Sequence, residues 1–193
     1  FVWGDLKEHK LHIRKYALHT KIVLITSLIL IIGPSILFLI LERHALFADM
    51  NTPQAILNAL FCAVTPRTAG FNTTDIASLS QSSQLLTIIL MFIGGCPGST
   101  AGGAKVTTIT VLILYLRSML TRTDGVNIFK RRLEDEAVSK AAAVFTTHML
   151  LAVAATFLIS MQQDLDLTVI VFDVVSAVST VGMSTGITPH LVP

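Results

Sequence analysis

Two short strings of the sequence could bind a cation through their backbone. They are Thr68-Ala69-Gly70-Phe71 and Thr180-Val181-Gly182-Met183, which share a T-x-G core and lie 112 residues apart. A carbonyl-lined potassium filter uses such strings, because backbone oxygens pointing at one axis replace the water around the ion. Glycine permits the backbone angles that this conformation requires, where a Cβ would intrude. One T-x-G is common by chance, so the prediction depends on the context of both copies.

A glycine-rich run, residues 94–104, is the second candidate site. It reads GGCPGSTAGGA and is followed by Lys105. A phosphate-binding loop needs lysine directly after glycine and Ser or Thr directly after the lysine. Here Ala104 precedes Lys105 and Val106 follows it, which argues against a nucleotide site. The residues that define the run are Gly94, Gly95, Gly98, Ser99, Thr100, Gly102, Gly103 and Lys105.

The composition places these strings in a membrane protein. The 193 residues are 52% hydrophobic and only 13% charged, whereas a soluble domain carries roughly 25% charged residues. The same figures exclude disorder, and two cysteines inside apolar stretches exclude a disulfide scaffold. A net charge of +2 gives no reason to predict nucleic-acid binding.

Residues 21–41 and 140–161 are long and apolar enough to cross a bilayer, which takes about 20 residues. Residues 84–94 and 106–120 are too short to cross alone, so together they predict one crossing that is broken in its middle by the glycine-rich run. Irregular backbone at that depth survives only where it is buried in protein or lines a wet cavity. We therefore predict a mobile loop in a pore, with a static kink as the alternative.

Two shorter apolar segments, residues 53–65 and 167–179, are typical of re-entrant helices. Each follows a predicted span, and each ends close to one of the T-x-G strings. The unit of span, pore helix, filter loop and span therefore occurs once completely and once without its final span. The predicted fold class is an all-α membrane protein built from repeated span–pore-helix–span units of the potassium-channel type, with a broken helix and re-entrant filter loops.

The basic residues orient the chain. Eleven of the fourteen lie in residues 7–21, up to the start of the first span, or in residues 117–140, from the end of the broken crossing to the start of the last span. The positive-inside rule places both segments in the cytoplasm. The predicted organisation is a cytoplasmic lead-in (1–20), a complete repeat (21–120), a cytoplasmic linker (121–139) and a repeat that lacks its last span (140–193).

Three strings together carry a family resemblance: T-P-R-T-A-G-F-N-T (65–73), G-G-C-P-G-S-T-A-G-G-A-K-V-T-T (94–108) and S-T-V-G-M-S-T-G (179–186). They resemble the Trk/Ktr/HKT superfamily of potassium transporters, and L-H-T-K (18–21) is similar to the KtrB-type membrane subunit of its bacterial Ktr branch. The resemblance covers nearly the whole chain. It implies four repeats in one polypeptide, of which residues 1–120 are the third with its lead-in, and residues 121–193 are a linker and most of the fourth.

The resemblance also implies a function. The chain would belong to the pore-forming subunit of a bacterial potassium uptake system in the plasma (inner) membrane, with residues 94–104 as its gating loop. The full subunit would form a homodimer above a cytosolic RCK-type ring that binds the regulatory nucleotide. No cofactor, metal site or enzymatic activity is expected in this chain; K⁺ would pass through the filter carbonyls only. Glycine at 70 and 182 favours potassium, since serine at a filter position tends to accompany sodium permeability in the family.

Two other functions and the roles of three further residues remain to be considered. The main rival is an ion-coupled secondary transporter with discontinuous helices and a midplane site; an intramembrane enzyme lacks a candidate set beyond His148. We expect His148 to be hydrogen-bonded and to face other helices. We expect Asp173 to face protein and brace the filter, and Arg67 to brace its loop at the outer mouth through a carboxylate or carbonyl.

Overall fold

The structure, a computed structural model, describes residues 16–122, 127–128, 131–132 and 135–186. Most of the predicted lead-in, parts of the linker and residues 187–193 lie outside the described residues. Within them the helices are α1 (Leu18–Glu42), α2 (Thr52–Val64), α3 (Gln81–Phe92), α4 (Val106–Leu120), α5 (Asp135–Gln162) and α6 (Leu167–Val178), with a 3₁₀ turn at Ile76–Ser78 and short strands β1 (Asn127–Ile128) and β2 (Arg131–Arg132).

Helices α1 and α5 are long enough to span a bilayer. They have 25 and 28 residues, and their most apolar windows have mean hydropathies of 2.7 and 2.0. Only 22% and 6% of the residues in those windows are buried in the protein. A core helix of a soluble protein would bury this surface, whereas Leu28 and Ile29 on α1, and Leu150 and Phe157 on α5, are exposed. These helices match the two predicted spans.

Helices α2 and α6 are short because turn and capping residues bound them. Asn51 precedes α2, and its backbone N–H donates to Gln54 Oε1 at 3.4 Å, while Asp166 Oδ1 accepts from Thr168 N at 3.0 Å at the start of α6. With 13 and 12 residues, each helix extends roughly 18–20 Å. Both are too short to cross, as the sequence predicted.

The chain leaves α3 and enters α4 at nearly the same place. Gly94 N donates to Ala104 O at 2.8 Å, Ala104 N donates to Phe92 O at 3.2 Å, and Val106 N donates to Gly95 O at 3.2 Å. These three backbone bonds form a neck, so residues 94–104 are a closed excursion between two helices. Helices of 12 and 15 residues extend about 18 and 22 Å.

Three apolar clusters hold the helices together. One joins α1, α2 and α3 around Phe38 and Leu90, and another joins α1, α4 and α5 around Val111. The third lies between α3, α5 and α6 and includes residues of the second T-x-G string. Its buried members are Ile76, Leu79, Ile88, Met91, Ala152, Phe172, Val175, Val181 and Met183. The backbone of that string is therefore anchored by the apolar side chains of its second and fourth residues.

Two features of the linker differ from the prediction. Strands β1 and β2 pair antiparallel, Asn127 with Arg132 and Ile128 with Arg131, where the sequence analysis predicted no strand. Helix α5 begins at Asp135, five residues before the predicted span. The apolar window missed this turn because it is polar: two acidic residues favour a helix N-terminus, and Glu136 pairs with Lys140 at 2.7 Å.

Candidate functional site

The two T-x-G strings have the same unusual backbone. Thr68 and Gly70 have φ angles of 70° and 74°, and Thr180 and Gly182 have φ angles of 56° and 85°. Left-handed conformations at alternate residues turn successive peptide groups toward the same side of the chain. A threonine in this region costs roughly 1–2 kcal/mol. Such strain at matched positions is typical of functional sites.

The first N–H groups of each string point back at the preceding helix. Ala69 N donates to Thr65 O at 3.1 Å, and Val181 N donates to Ser176 O at 2.8 Å. The string carbonyls are acceptors only, so they need donors or cations from elsewhere. Each string therefore continues from a helix C-terminus, with the N–H of its second residue bonded to the end of that helix.

The strings lie against each other. A Cβ on Gly70 would overlap the carbonyl oxygen of Val181 and lie 3.7 Å from the carbonyl carbon of Gly182. Glycine at position 70 is therefore required both by its positive φ and by the approach of the second string. At Gly182 no atom lies within 4 Å of a built Cβ, so the conformation alone favours glycine there. The fold thus brings together two strings that are 112 residues apart in the sequence.

Polar side chains brace the far end of each string. Thr65 Oγ1 donates to the carbonyl oxygen of Phe71. Asp173 on α6 accepts from Ser184 Oγ at 2.8 Å, from Thr185 N at 3.0 Å and from Thr185 Oγ1 at 3.1 Å. The predicted brace by Asp173 is present in the structure, on the residues that directly follow Met183.

The glycine-rich loop is folded around Lys105. The Lys105 ammonium donates to Ser99 O at 3.1 Å and also to Ala101 O, and Ser99 Oγ donates to Cys96 O at 2.6 Å. These bonds hold the loop as a compact turn above its neck. Ser99 thus bonds the loop backbone, and both Ser99 and Thr100 are exposed.

The loop touches the second string directly. Gly102 N donates to Thr180 Oγ1 at 2.8 Å. A Cβ on Gly102 would overlap Thr180 Oγ1 and lie 2.7 Å from Ser179 O. The structure therefore joins the two candidate sites that the sequence analysis treated separately.

Arg67 lies elsewhere than predicted. Its Nη2 donates to Ser27 Oγ on α1 at 3.5 Å, not to a carboxylate or carbonyl. Ser27 is 15 residues before Glu42, which is about 22 Å along α1 from the end that leads to α2. Arg67 follows the C-terminal end of α2, and its guanidinium lies beside the middle of α1 rather than beside the end that leads to α2.

His148 and Glu42 support the site from two neighbouring helices. His148 Nε2 lies 3.4 Å from Ser179 Oγ, and its ring meets Phe92 edge-on at 6.2 Å, so it faces other elements as predicted. The sequence analysis assigned no role to Glu42. It is fully buried, and its Oε1 accepts from Ser80 N at 3.0 Å and from Ser80 Oγ at 2.6 Å, which fixes the start of α3. The only signal in the sequence for this buried carboxylate was its position directly after a long apolar run.

Side chains do not form a metal site in the part of the chain that the structure describes. No group of three or more His, Cys, Asp or Glu residues is placed to hold a metal ion there.

Exposed apolar spans enclosing a polar, strained backbone site define a helical membrane protein. A family model described as "Cation transport protein" (TrkH) matches residues 7–193, and the chain belongs to this TrkH family. It is 37% identical to the potassium/sodium uptake protein NtpJ of Enterococcus hirae, over 98% of this chain and 43% of that protein. It is 34% identical to the Ktr system potassium uptake protein B of Vibrio alginolyticus, over 98% of this chain and 42% of that protein.

A solved structure has the same fold. The potassium transporter TrkH from Vibrio parahaemolyticus superposes with a TM-score of 0.68 and 23% identity, over 81% of this chain and 35% of that one. The Ktr system potassium uptake protein B of Bacillus subtilis is 33% identical, over 92% of this chain and 40% of that protein. The chain therefore spans about two fifths of the length of these relatives.

Proposed function

We propose that the chain is part of the pore-forming subunit of a bacterial potassium uptake system. K⁺ would cross the membrane down its electrochemical gradient through a filter of backbone carbonyls from residues 68–71 and 180–183. The observation that carries this proposal is the matched pair of strings, with positive φ at 68 and 70 and again at 180 and 182. Two relatives named as Ktr system potassium uptake protein B support potassium as the ion.

The filter assignment has a physical basis in each string. The N–H groups of Ala69 and Val181 are bonded to their own short helices, so the string oxygens are the groups left to coordinate an ion. Two carbonyl strings give half of a fourfold ring of the potassium-channel type. In this proposal α2 and α6 are the re-entrant pore helices of the third and fourth of four repeats, and the remaining repeats complete the ring.

The gate assignment depends on the contact between the loop and the filter. Gly102 N bonds Thr180 Oγ1, and Lys105 folds the loop upon itself through the carbonyls of Ser99 and Ala101. In this position residues 94–104 would obstruct the pore directly beneath the filter. Since the neck is held by its own three backbone bonds, the loop has the connections to swing aside without separating α3 from α4.

Orientation and partners follow from charge and family membership. We propose that residues 1–20 and 121–139 are cytoplasmic, that the subunit lies in the plasma membrane, and that it functions as a homodimer. A cytosolic RCK-type ring would carry the regulatory nucleotide and act on the loop through the basic linker. No cofactor is required in this chain, and no covalent reaction is proposed for it.

An ion-coupled secondary transporter is the second candidate. The observation that favours it is the irregular backbone between α3 and α4, since such transporters bind substrate where helices are interrupted. The two mechanisms differ in driving force. A pore passes K⁺ down the gradient of K⁺ alone, whereas a coupled transporter needs the gradient of a second ion.

Flux measurements on the full-length protein separate them. Proteoliposomes loaded with KCl would be diluted into choline chloride that contains tracer ⁸⁶Rb⁺, without a sodium or proton gradient. The proposal predicts tracer accumulation that disappears when the vesicles are loaded with choline chloride instead of KCl, because K⁺ efflux then no longer generates an inside-negative potential. Accumulation only when a sodium or proton gradient is imposed would overturn the pore and favour the coupled transporter.

A further inference from the structure

A chain of polar contacts links the first filter string to the start of the loop. The Arg67 guanidinium reaches Ser27 Oγ on α1 at 3.5 Å, and Ser27 Oγ lies 3.7 Å from Cys96 Sγ. Arg67 directly precedes Thr68, and Cys96 is the third residue of the loop. Three separate elements therefore meet at one serine.

The neighbouring residue strengthens this junction. Thr26 Oγ1 lies 3.0 Å from Thr110 Oγ1 on α4, so α1 contacts both the loop and the helix that follows it. Arginine stays charged under all ordinary conditions, and its Nε is buried without a hydrogen-bond partner among the described residues. A charged side chain inside a membrane protein is energetically costly and usually marks a functional position.

The loop is thus held on two sides. Gly102 bonds Thr180 in the second string, and Cys96 is joined through Ser27 to the residue before the first string. Loop movement would break both links together. The first link is direct, whereas the second depends on a hydroxyl of α1 that the filter and gate assignments do not otherwise use.

We propose that Arg67 is a positioning residue of the gate, which holds the start of residues 94–104 in the closed position through Ser27 and Cys96. This inference depends on the proposed gating role of the loop. It assigns Ser27 as the coupling hydroxyl and gives the first string, like the second, a connection to the gate. Weakening the junction releases the loop without altering the filter carbonyls.

Cys96 supplies its own reporter, because its thiol reacts faster when the loop leaves the junction. In full-length protein with every other cysteine replaced, Ser27→Ala should raise the rate of maleimide labelling at Cys96. One hydrogen bond corresponds to about fivefold in the opening equilibrium, and the labelling rate should increase by a similar factor. Basal ⁸⁶Rb⁺ flux should rise in parallel, with the potassium-to-sodium ratio unchanged.

Ser35→Ala is the matched control. Ser35 lies on the same helix, but its Oγ donates to Ile31 O of its own turn at 2.6 Å. The control should leave both labelling and flux at the wild-type level. Cys96→Ser, which keeps a hydrogen-bonding group at the junction by replacing the thiol with a hydroxyl, should retain low basal flux, whereas Cys96→Val should raise it.

Arg67→Gln tests the other end of this series of contacts. It should increase Cys96 labelling as Ser27→Ala does, and the two changes combined should add little, since they break one chain of contacts. If Arg67→Gln does not fold, Ser27→Ala alone decides. Cys96 labelling and basal flux that stay at wild-type rates in Ser27→Ala would overturn the inference, while gradient-driven flux in the wild-type protein would leave the proposed function standing.

Discussion

At the scale of residues, the site consists of backbone atoms placed by a few side chains. Thr68 and Thr180 adopt a conformation that threonine rarely takes, and this repeated strain could not be read from the residue types. The T-x-G pattern did mark the two strings in which this backbone conformation occurs, while their role as a filter stays a prediction. The contact between Gly102 and Thr180 could not be predicted, because it joins residues 78 positions apart and depends on how the loop folds.

Gly102→Ala should loosen the contact between loop and filter. The added methyl would overlap Thr180 Oγ1 and lie 2.7 Å from Ser179 O, so the loop must move away. We expect higher ⁸⁶Rb⁺ flux into proteoliposomes in the absence of any cytosolic partner. Gly33→Ala is the control, since it adds the same methyl where no atom lies within 4 Å. Unchanged basal flux in Gly102→Ala would contradict the gate assignment.

Asp173→Asn should weaken the brace behind the second string. An amide nitrogen cannot accept the bond from Ser184 Oγ, and the charge that strengthens the bonds from Thr185 is lost. Hydrogen bonds to charged groups contribute about 1.5–3 kcal/mol, so we expect a lower thermal unfolding midpoint and a reduced flux. Asp164→Asn, at an exposed position, should change neither. A midpoint equal to that of the wild type would show that the brace is dispensable.

At the scale of elements, lengths and boundaries were largely predictable. The lengths of the apolar runs predicted both the two long helices and the two short ones. Crossing a membrane imposes a minimum length, which the long runs reach and the short runs do not. The early start of α5 was missed, since its first turn is stabilised by charges rather than by apolar residues. The neck between α3 and α4 was also invisible, because backbone hydrogen bonds leave no pattern in side-chain types.

Shortening the loop should open the pore. Deletion of residues 99–102 removes the bond from Gly102 and the carbonyls that Lys105 holds, but it spares every residue of the neck. We expect a higher flux that depends less on the cytosolic ring, with selectivity for potassium retained. A static kink predicts instead that the crossing loses its register. Well-folded protein with reduced flux and undiminished dependence on the ring would contradict the gating role.

At the scale of the whole molecule, membrane class and family could be inferred from the sequence, and the assembly could not. Composition indicates that the chain lies in a membrane, and charge placement predicts which segments stay inside. The chain spans about two fifths of its relatives, so in the proposed filter the other repeats would complete the ring. The approach of the strings at Gly70 and Val181 would be one part of that ring.

The proposed orientation predicts sidedness. Asp75 lies just before the 3₁₀ turn between α2 and α3, and Asn127 lies in β1 after α4. Cysteines introduced at these positions in an otherwise cysteine-free protein should react with an impermeant maleimide from opposite sides, position 75 from outside and position 127 from inside. Labelling of both from the same side would rule out a single broken crossing made of α3 and α4.

The central claim is that the two strings form a potassium filter, and one pair of variants tests it most directly. Gly182→Ser adds a side chain within the second string, whereas Gly186→Ser adds the same side chain four residues later. Both glycines have positive φ, 85° and 93°, and no atom lies within 4 Å of a Cβ built at either. Backbone strain and local space are therefore matched.

The measurement is potassium and sodium uptake by cells that express the full-length protein and lack other potassium uptake systems. The account predicts that Gly182→Ser raises sodium uptake relative to potassium, because the hydroxymethyl group disturbs the carbonyl ring. Gly186→Ser should keep the wild-type ratio. An unchanged ratio in Gly182→Ser, or an equal change in both variants, would contradict the filter assignment.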